Sequence, residues 1–191
     1  MFFERIENPE MYSETDFSGE IQLIIGPMFS GKSTELLRRI KRYEIAKKSC
    51  ILVKHTIDNR YDQDFVTTHD LQKTRAISTE SLEKIFDVLQ NYQVIGIDEG
   101  QFFPDILVSE KLANQGKIVV IAALDSTFQR KPFNKICELI PLCEKVIKLN
   151  AVCTKCFKNA SFTKRTTDEK EVEVIGGIEK YKPVCRKCFF E

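Results

Sequence analysis

The segment that most constrains this chain is a glycine-rich run between an apolar stretch and an amphipathic one. Residues 26–33 read GPMFSGKS and match the pattern G-x-x-x-x-G-K-[ST] at every fixed position. The mostly apolar residues 21–25 predict a buried strand before it, and residues 32–43 repeat apolar side chains at helical spacing after it. A strand, loop and helix in this order aim backbone N–H groups at a phosphate from the helix N-terminus. The sequence therefore predicts a nucleotide phosphate site.

The residues of this loop have separable roles. We expect the Lys32 ammonium to reach the β- and γ-phosphates and the Ser33 hydroxyl to ligate Mg²⁺. The glycines allow the tight turn that lets successive N–H groups face the phosphate. The other loop positions in the predicted cofactor site are Gly26, Pro27, Met28, Phe29, Ser30 and Gly31.

A second motif, which is acidic, follows another apolar run. Residues 94–97 read VIGI and are followed by Asp98 and Glu99. A carboxylate at the end of a strand beside the phosphate loop is suited to hold the magnesium and its water, so Asp98 is the second predicted magnesium ligand. Glu99 is a candidate general base. The competing interpretation of such a pair, taken alone, is a solvated strand end.

Apolar runs and helical patterns alternate over the first 150 residues. Further strands are predicted at 50–53, 118–124 and 146–149, and helices at 82–89 and between Pro104 and Gly116. This alternation favours an α/β fold of the P-loop NTPase type, with a mostly parallel sheet flanked by helices. We divide the chain into a flexible leader (1–19), a P-loop domain (20–150) and a small cysteine-rich domain (151–191).

The last 41 residues contain two C-x-x-C pairs. Each pair presents two thiolates to one metal, and four thiolates form a closed tetrahedral site. We therefore predict a structural zinc ion. Three further cysteines, Cys50, Cys137 and Cys143, lie near apolar stretches and are interpreted as core residues. The predicted zinc ligands are Cys153, Cys156, Cys185 and Cys188.

Charge and targeting signals narrow the functional class. The net charge of +1 lacks the basic excess that most nucleic-acid-binding proteins carry. The first twenty residues resemble neither a signal peptide nor a transit peptide, and the longest apolar stretch, 118–124, is too short to cross a bilayer. We expect a cytoplasmic protein that binds neither nucleic acid nor membrane, with its cysteines reduced or metal-bound.

The motifs favour ATP over GTP as the phosphoryl donor. Asn134-Lys135 is followed by Ile136 and Cys137, so the aspartate of a guanine motif is missing. Aromatic residues near the acidic motif and near the end of the 118–124 strand favour a small aromatic acceptor, although each ring is also a plausible core residue. These are Phe102, Phe103, Phe128 and Phe133.

A P-loop ATPase with a nucleic-acid-binding zinc ribbon is the alternative function. Zinc ribbons are common in nucleic-acid-binding proteins, and four basic residues of the last domain support this interpretation. Four nearby glutamates, at 169, 171, 173 and 179, largely cancel their charge. The basic residues are Lys155, Lys158, Lys164 and Arg165.

Four segments together resemble the type II thymidine kinases: 26–33 (GPMFSGKS), 98–103 (DEGQFF), 127–130 (TFQR) and 171–177 (EVEVIGG). The resemblance runs in order from about Gly19 to Phe190 and includes both C-x-x-C pairs. It implies transfer of the γ-phosphoryl group of ATP to the 5′-hydroxyl of thymidine in nucleotide salvage. It also implies a homotetramer that thymidine triphosphate inhibits.

The resemblance assigns roles to particular positions. Glu99 matches the general base, and Arg60 a residue that stabilises developing phosphoryl charge. Asp58 matches a ligand of the ribose hydroxyl, with Asn59 in the same nucleotide-site loop, and Gly100 and Gln101 extend the nucleotide site after Glu99. The remaining matches surround thymidine: Met28, Phe102, Leu124, Phe128, Thr163 and Tyr181, and a lasso loop of Val172, Glu173, Val174, Ile175 and Gly176 that binds the base chiefly through backbone groups. The zinc site is expected to anchor both ends of the lasso.

Overall fold

The computed structural model describes residues 19–57, 65–67, 73–133, 135–167 and 176–191, with the backbone alone at 65–67 and 73–75. The strands are β1 (Glu20–Gly26), β2 (Cys50–His55), β3 (Phe65–Thr67), β4 (Lys73–Arg75), β5 (Ile77–Thr79), β6 (Val94–Asp98), β7 (Ile118–Leu124), β8 (Lys145–Lys148), β9 (Ala151–Val152), β10 (Asn159–Ala160), β11 (Phe162–Arg165) and β12 (Tyr181–Val184). The α-helices are α1 (Lys32–Ile45), α2 (Phe86–Leu89), α3 (Val108–Asn114), α4 (Ile136–Leu139) and α5 (Arg186–Phe190), and 3₁₀ turns span Glu83–Ile85, Gly100–Phe102 and Ile140–Leu142.

Six strands form one sheet in the order β5-β2-β6-β7-β1-β8. Every pairing in this sheet is parallel. Alternate residues of β1 point to opposite faces: Leu23 lies in a core with α3 and α4, while Ile24 lies in a second core against α1. Helices therefore cover both faces, which confirms the predicted α/β class with a mostly parallel sheet.

The predicted helices differ from the observed ones in two places. The pattern at 82–89 gives a 3₁₀ turn followed by the four-residue helix α2 rather than one continuous helix. The prediction that Pro104 begins a helix is also wrong, because α3 starts at Val108. Tight turns precede it, with Val108 N–H donating to the Asp105 carbonyl at 2.9 Å. Gly116, at φ 83°, ends this segment as predicted.

The C-terminal region forms two small antiparallel sheets, β9–β10 and β11–β12. They enclose a separate small core that contains Cys153 and Cys188. No helix in the described part of the chain has the length and apolar character needed to cross a membrane.

A polar network joins α1 to β1. Gln22 is 4% exposed, and its amide donates to the Tyr43 hydroxyl at 2.8 Å. The Arg39 guanidinium donates to Gln22 Oε1 at 2.8 Å and to Glu35 Oε1 at 2.8 Å. Arg38 donates to the same carboxylate at 2.6 Å. The hydrogen bond from Arg38, reinforced by Arg39, lowers the pKa of Glu35 to about 2.

This network predicts a pH-dependent contribution to stability. A carboxyl group whose folded pKa is below its ordinary value stabilises the fold above that ordinary value and loses this effect as pH falls. The free energy of unfolding should therefore decline as pH falls from 4.5 towards 2. In Glu35→Gln, the decline over this interval should be smaller by about 1 kcal/mol. Urea denaturation at several pH values measures the difference.

The exposed Glu110→Gln on α3 is the matched control for this prediction. An identical decline in wild type and in Glu35→Gln would contradict a role for the network in acid stability.

Candidate active site

The phosphate loop is built from strained backbone between β1 and α1. Gly26 has φ 149° and Gly31 φ 80°, and Phe29 has φ 63° despite its side chain. A Cβ on Gly26 would lie 2.5 Å from the Leu149 carbonyl oxygen, so this glycine is required by both conformation and space. The Lys32 ammonium donates to the Pro27 carbonyl at 2.8 Å, across the mouth of the loop.

The predicted magnesium ligands lie in contact. Ser33 Oγ donates to Asp98 Oδ1 at 3.0 Å, and Asp98 is 6% exposed. Ser33 lies in the first turn of α1, after β1 and the phosphate loop, and Asp98 ends β6, with β7 between β1 and β6 in the sheet. A hydroxyl and a carboxylate are the hard oxygen ligands that Mg²⁺ takes beside phosphates, so the pair fits this ion.

The candidate general base is held by its neighbours. Glu99 has φ 52°, a left-handed conformation that turns the chain sharply at the end of β6. The Gln101 amide donates to Glu99 Oε2 at 2.5 Å, and Gln101 Oε1 accepts from Leu124 N–H at 2.9 Å. Because Gln101 is 1% exposed and anchored to β7, it fixes the orientation of the Glu99 carboxylate.

The aromatic residues separate into core and cleft positions. Phe103 is fully buried and packs edge-on against His55, with 4.9 Å between ring centroids. Phe133 is also buried, and its ring meets Phe102 edge-on at 6.2 Å. Phe102 remains partly exposed. Phe103 and Phe133 are therefore core residues, as the competing interpretation allowed, and Phe102 stays a candidate contact.

Phe128 and Tyr181 are brought together by an arginine that sequence reasoning did not place in the site. The Arg165 guanidinium lies 3.9 Å from the Phe128 ring centroid, and it donates to the Tyr181 hydroxyl at 2.8 Å. Arg165 is 9% exposed. Residues 162–165 read FTKR and do not alternate in polarity, so the sequence carried no signal of this burial; in the structure, β11 places Arg165 on the same buried face as Thr163.

Thr163 contacts the phosphate loop directly. The Met28 N–H donates to Thr163 Oγ1 at 3.0 Å, and Thr163 is 5% exposed. Two residues predicted for the thymidine pocket are thus bonded to each other, and one of them is part of the phosphate loop.

Several predicted residues lie outside the described ones. Gly176 is described; it is half-buried and precedes a turn in which Tyr181 N–H donates to the Gly177 carbonyl at 3.0 Å. The predicted contacts outside the described residues are Asp58, Asn59, Arg60, Val172, Glu173, Val174 and Ile175.

The four predicted zinc ligands converge. Their Sγ atoms all lie within 4.8 Å of one another, and those of Cys156 and Cys185 are 3.6 Å apart. A tetrahedral zinc site with bonds of about 2.3 Å separates its sulfurs by about 3.8 Å, so the cluster fits zinc. Burial opposes ionisation of Cys153, but backbone N–H groups of Cys185 and Cys156 outweigh it and lower the pKa of this thiol to about 6. The pKa is likewise lowered at Cys185, chiefly by the Cys188 backbone N–H, whereas burial and the neighbouring cysteines raise the pKa of Cys188.

The two glycines of the phosphate loop provide a matched test of its geometry. A Cβ on Gly31 meets nothing within 4 Å, whereas one on Gly26 meets backbone. Gly31→Ala should lose about 1 kcal/mol of stability from its positive φ alone, and Gly26→Ala about 3 kcal/mol, with loss of MgATP binding. Thermal unfolding and calorimetric titration with MgATP measure both quantities, and equal losses in the two variants would contradict this geometry.

Comparison with known proteins is consistent with this site. The family model described as thymidine kinase matches residues 19–189. The chain is 59% identical to the thymidine kinase of rabbit fibroma virus (strain Kasza), over 92% of this chain and 99% of that protein. It is 62% identical to the thymidine kinase of sheeppox virus (strain KS-1), over 90% and 97%. It is 57% identical to that of vaccinia virus (strain Western Reserve), over 91% and 98%.

Similarity to solved structures is weaker. The ATPase DotB of Legionella pneumophila aligns with a TM-score of 0.43 and 14% identity, over 74% of this chain and 43% of that one. The family match and the viral relatives span nearly the whole chain and include the phosphate loop, the acidic motif and the cysteine cluster. The chain belongs to the thymidine kinase family.

Proposed function

We propose that this protein transfers the γ-phosphoryl group of ATP to the 5′-hydroxyl of thymidine, producing thymidine monophosphate. The observation that carries the proposal is the meeting of three parts at one edge of the sheet. The phosphate loop, the Ser33–Asp98 pair at 3.0 Å and the Glu99 carboxylate held by Gln101 all lie there. Membership of the thymidine kinase family supports the choice of acceptor.

The donor half of the site binds ATP through the phosphate loop. Backbone N–H groups of residues 29–33 and the Lys32 ammonium are suited to the β- and γ-phosphates. Ser33 and Asp98 would hold Mg²⁺, which would neutralise charge on the phosphates when bound. Lys32 exchanges its hydrogen bond to the Pro27 carbonyl for the phosphate oxygens. Arg60 stabilises charge that develops on the transferred group, and Asp58 binds a ribose hydroxyl, with Asn59 beside them.

Glu99 acts as the general base. Its carboxylate accepts the proton of the 5′-hydroxyl as that oxygen attacks the γ-phosphorus and the bond to ADP breaks. The amide of Gln101 occupies one carboxylate oxygen, at 2.5 Å, which leaves the other oriented for the substrate. The buried anchor of Gln101 on Leu124 N–H keeps this geometry during turnover.

The acceptor half is aromatic and closes over the base. Phe102, Phe128 and Tyr181 provide rings for thymine, and Thr163, Met28 and Leu124 shape the pocket. By resemblance to the family's lasso loop, we expect residues 172–176 to bind O2, N3–H and O4 of thymine through their peptide groups. Cytosine reverses the polarity at N3 and at position 4 and leaves buried groups unpaired, at about 1–3 kcal/mol each. The four cysteines would hold a zinc ion that anchors both ends of the lasso.

The alternative of a nucleic-acid-binding ATPase receives less support from the basic residues. Of the four that favoured it, Lys164 donates to the Phe189 carbonyl at 2.8 Å. Arg165 is buried against Phe128. Both therefore serve contacts within the protein, whereas Lys155 and Lys158 are exposed, as are Lys182, Arg186 and Lys187 in the same region.

The remaining proposals follow from the family. We infer a cytoplasmic homotetramer that thymidine triphosphate inhibits and that binds neither nucleic acid nor membrane. We also retain the division into a leader (1–19), a P-loop kinase domain (20–150) and a zinc-binding lasso domain (151–191).

The acceptor test compares phosphoryl transfer from MgATP to thymidine, deoxycytidine, deoxyguanosine, single-stranded DNA and no acceptor. We expect thymidine monophosphate from thymidine, with at least a hundredfold lower rates for the other nucleosides, because their base edges leave lasso groups unpaired. Product chromatography with labelled ATP measures the transfer. ATP hydrolysis that DNA stimulates, without phosphorylation of a nucleoside, would contradict the kinase activity and support the nucleic-acid-binding ATPase.

Substitution of the general base, Glu99, separates the chemical step from MgATP binding. Glu99→Gln keeps the side-chain volume but removes the proton acceptor, so kcat should fall about 10²-fold or more. The dissociation constant for MgATP should change less than threefold. Rapid-quench kinetics and calorimetry measure the two. Asp125→Asn, another carboxylate near this edge that pairs with Lys148, is the matched control. Near-normal turnover by Glu99→Gln would exclude Glu99 as the base.

A further inference from the structure

We propose that the cysteine module, defined as the described residues from 151 to 191, positions the phosphate loop, and that Phe29 is the residue through which it does so. Affinity for the phosphoryl donor then depends on the folded, metal-bearing module, in addition to the lasso's effect on thymidine. The inference deepens the proposed function, because it concerns the donor half of the same site.

Phe29 has a backbone conformation that needs outside support. Its φ of 63° is left-handed, in a loop where the neighbouring positive-φ positions are the glycines Gly26 and Gly31. A non-glycine residue in this region is less stable by about 1–2 kcal/mol. Such strain persists only where surrounding contacts over-determine the conformation.

The support comes from the small core of the cysteine module. Phe29 packs against the cluster whose fully buried members include Cys153 and Cys188, two of the metal ligands. Phe162 and Phe189 pack against the same cluster beside it. The surface that receives Phe29 is therefore built around two of the proposed zinc ligands.

A hydrogen bond holds the adjacent residue of the loop. The Met28 N–H donates to Thr163 Oγ1 at 3.0 Å, and Thr163 lies on β11 of the module and is 5% exposed. Two consecutive residues of the phosphate loop thus contact the module, one by packing and the other by a buried hydrogen bond.

The chain that leads into the module also borders the loop. Leu149 N–H donates to the Ile25 carbonyl at 2.8 Å, just before the loop begins. The Leu149 carbonyl oxygen lies 2.5 Å from the position that a Cβ on Gly26 would take. The module and the segment that leads into it therefore border the first four loop residues, 26–29. The last two loop residues, 32 and 33, belong to α1. Loosening the module would release the N-terminal half of the loop.

The test measures MgATP binding in the absence of any acceptor, by calorimetry on the full, zinc-loaded chain. Phe29→Ala keeps the left-handed strain but removes the packing, and it should weaken MgATP about tenfold while the zinc content stays at one per chain. Phe29→Leu, which restores apolar contact, should recover most of the affinity. Phe157→Ala is the matched control, because Phe157 also has φ 60°, lies in the module beside Cys156 and is 80% exposed.

A double comparison separates positioning from general damage. Cys156→Ser should weaken MgATP in the wild-type background and add little in Phe29→Ala, because both changes break the same connection. Thr163→Val should also weaken MgATP, with Thr163→Ser close to wild type. If Phe29→Ala does not fold, the Thr163 pair and Phe29→Leu carry the test.

Unchanged MgATP affinity in Phe29→Ala and Thr163→Val would overturn the proposal. The module would then act only on thymidine binding, through the lasso. So would fully additive losses in the double variant. Because the readout needs no thymidine, a failure here leaves the proposed kinase activity standing. Conversely, the variants could change MgATP affinity as expected in a protein that phosphorylates no nucleoside. That result would refute the proposed kinase activity but not the positioning of the phosphate loop by the module.

Discussion

Parallel pairing of β1, β7 and β6 is the constraint on which the rest of the structure depends. The register places Gly26 beside Leu124 and Ile97 beside Ile121, so the carboxyl ends of the three strands lie at one edge. The phosphate loop, the acidic motif and the Leu124 N–H that anchors Gln101 all follow from that register. If one strand slipped by one residue relative to its neighbours, its side chains would exchange faces of the sheet, and these three features would no longer meet.

Local sequence was sufficient for the parts of the site that lie within one strand–loop–helix unit or one cysteine pair. The phosphate loop, the strand end at Asp98 and each C-x-x-C pair were predictable because local spacing fixes the geometry within each of them. Arg165 was missed because its partner Phe128 lies 37 positions earlier in the chain, and no local pattern links them. The contact between Met28 and Thr163 spans 135 positions and required the fold itself.

The helix errors have a similar physical origin. Residues 82–89 carry apolar side chains at helical spacing, yet they form a 3₁₀ turn and then a single helical turn. The Asp105 carboxylate accepts from Ser81 Oγ at 2.7 Å and from Glu83 N–H at 2.9 Å, which fixes the start of the segment from outside. The turns after Pro104 supply that carboxylate, so the two misjudged regions determine each other's conformation through a tertiary contact.

Arginine–aromatic contacts join the P-loop domain to the cysteine module, and each of the two regions contributes one arginine. Arg165 of the cysteine module lies over Phe128, which follows β7, while Arg130 from the same loop lies 4.6 Å from the Phe189 ring centroid in α5. Arg130 itself has φ 61°, so this loop too is held in a left-handed conformation beside the module. Non-glycine residues of positive φ thus stand on the phosphate loop, at the candidate base and in this loop. Since strained positions need rigid surroundings, the packing of the cysteine module against two of them rigidifies the edge of the sheet where the candidate site lies.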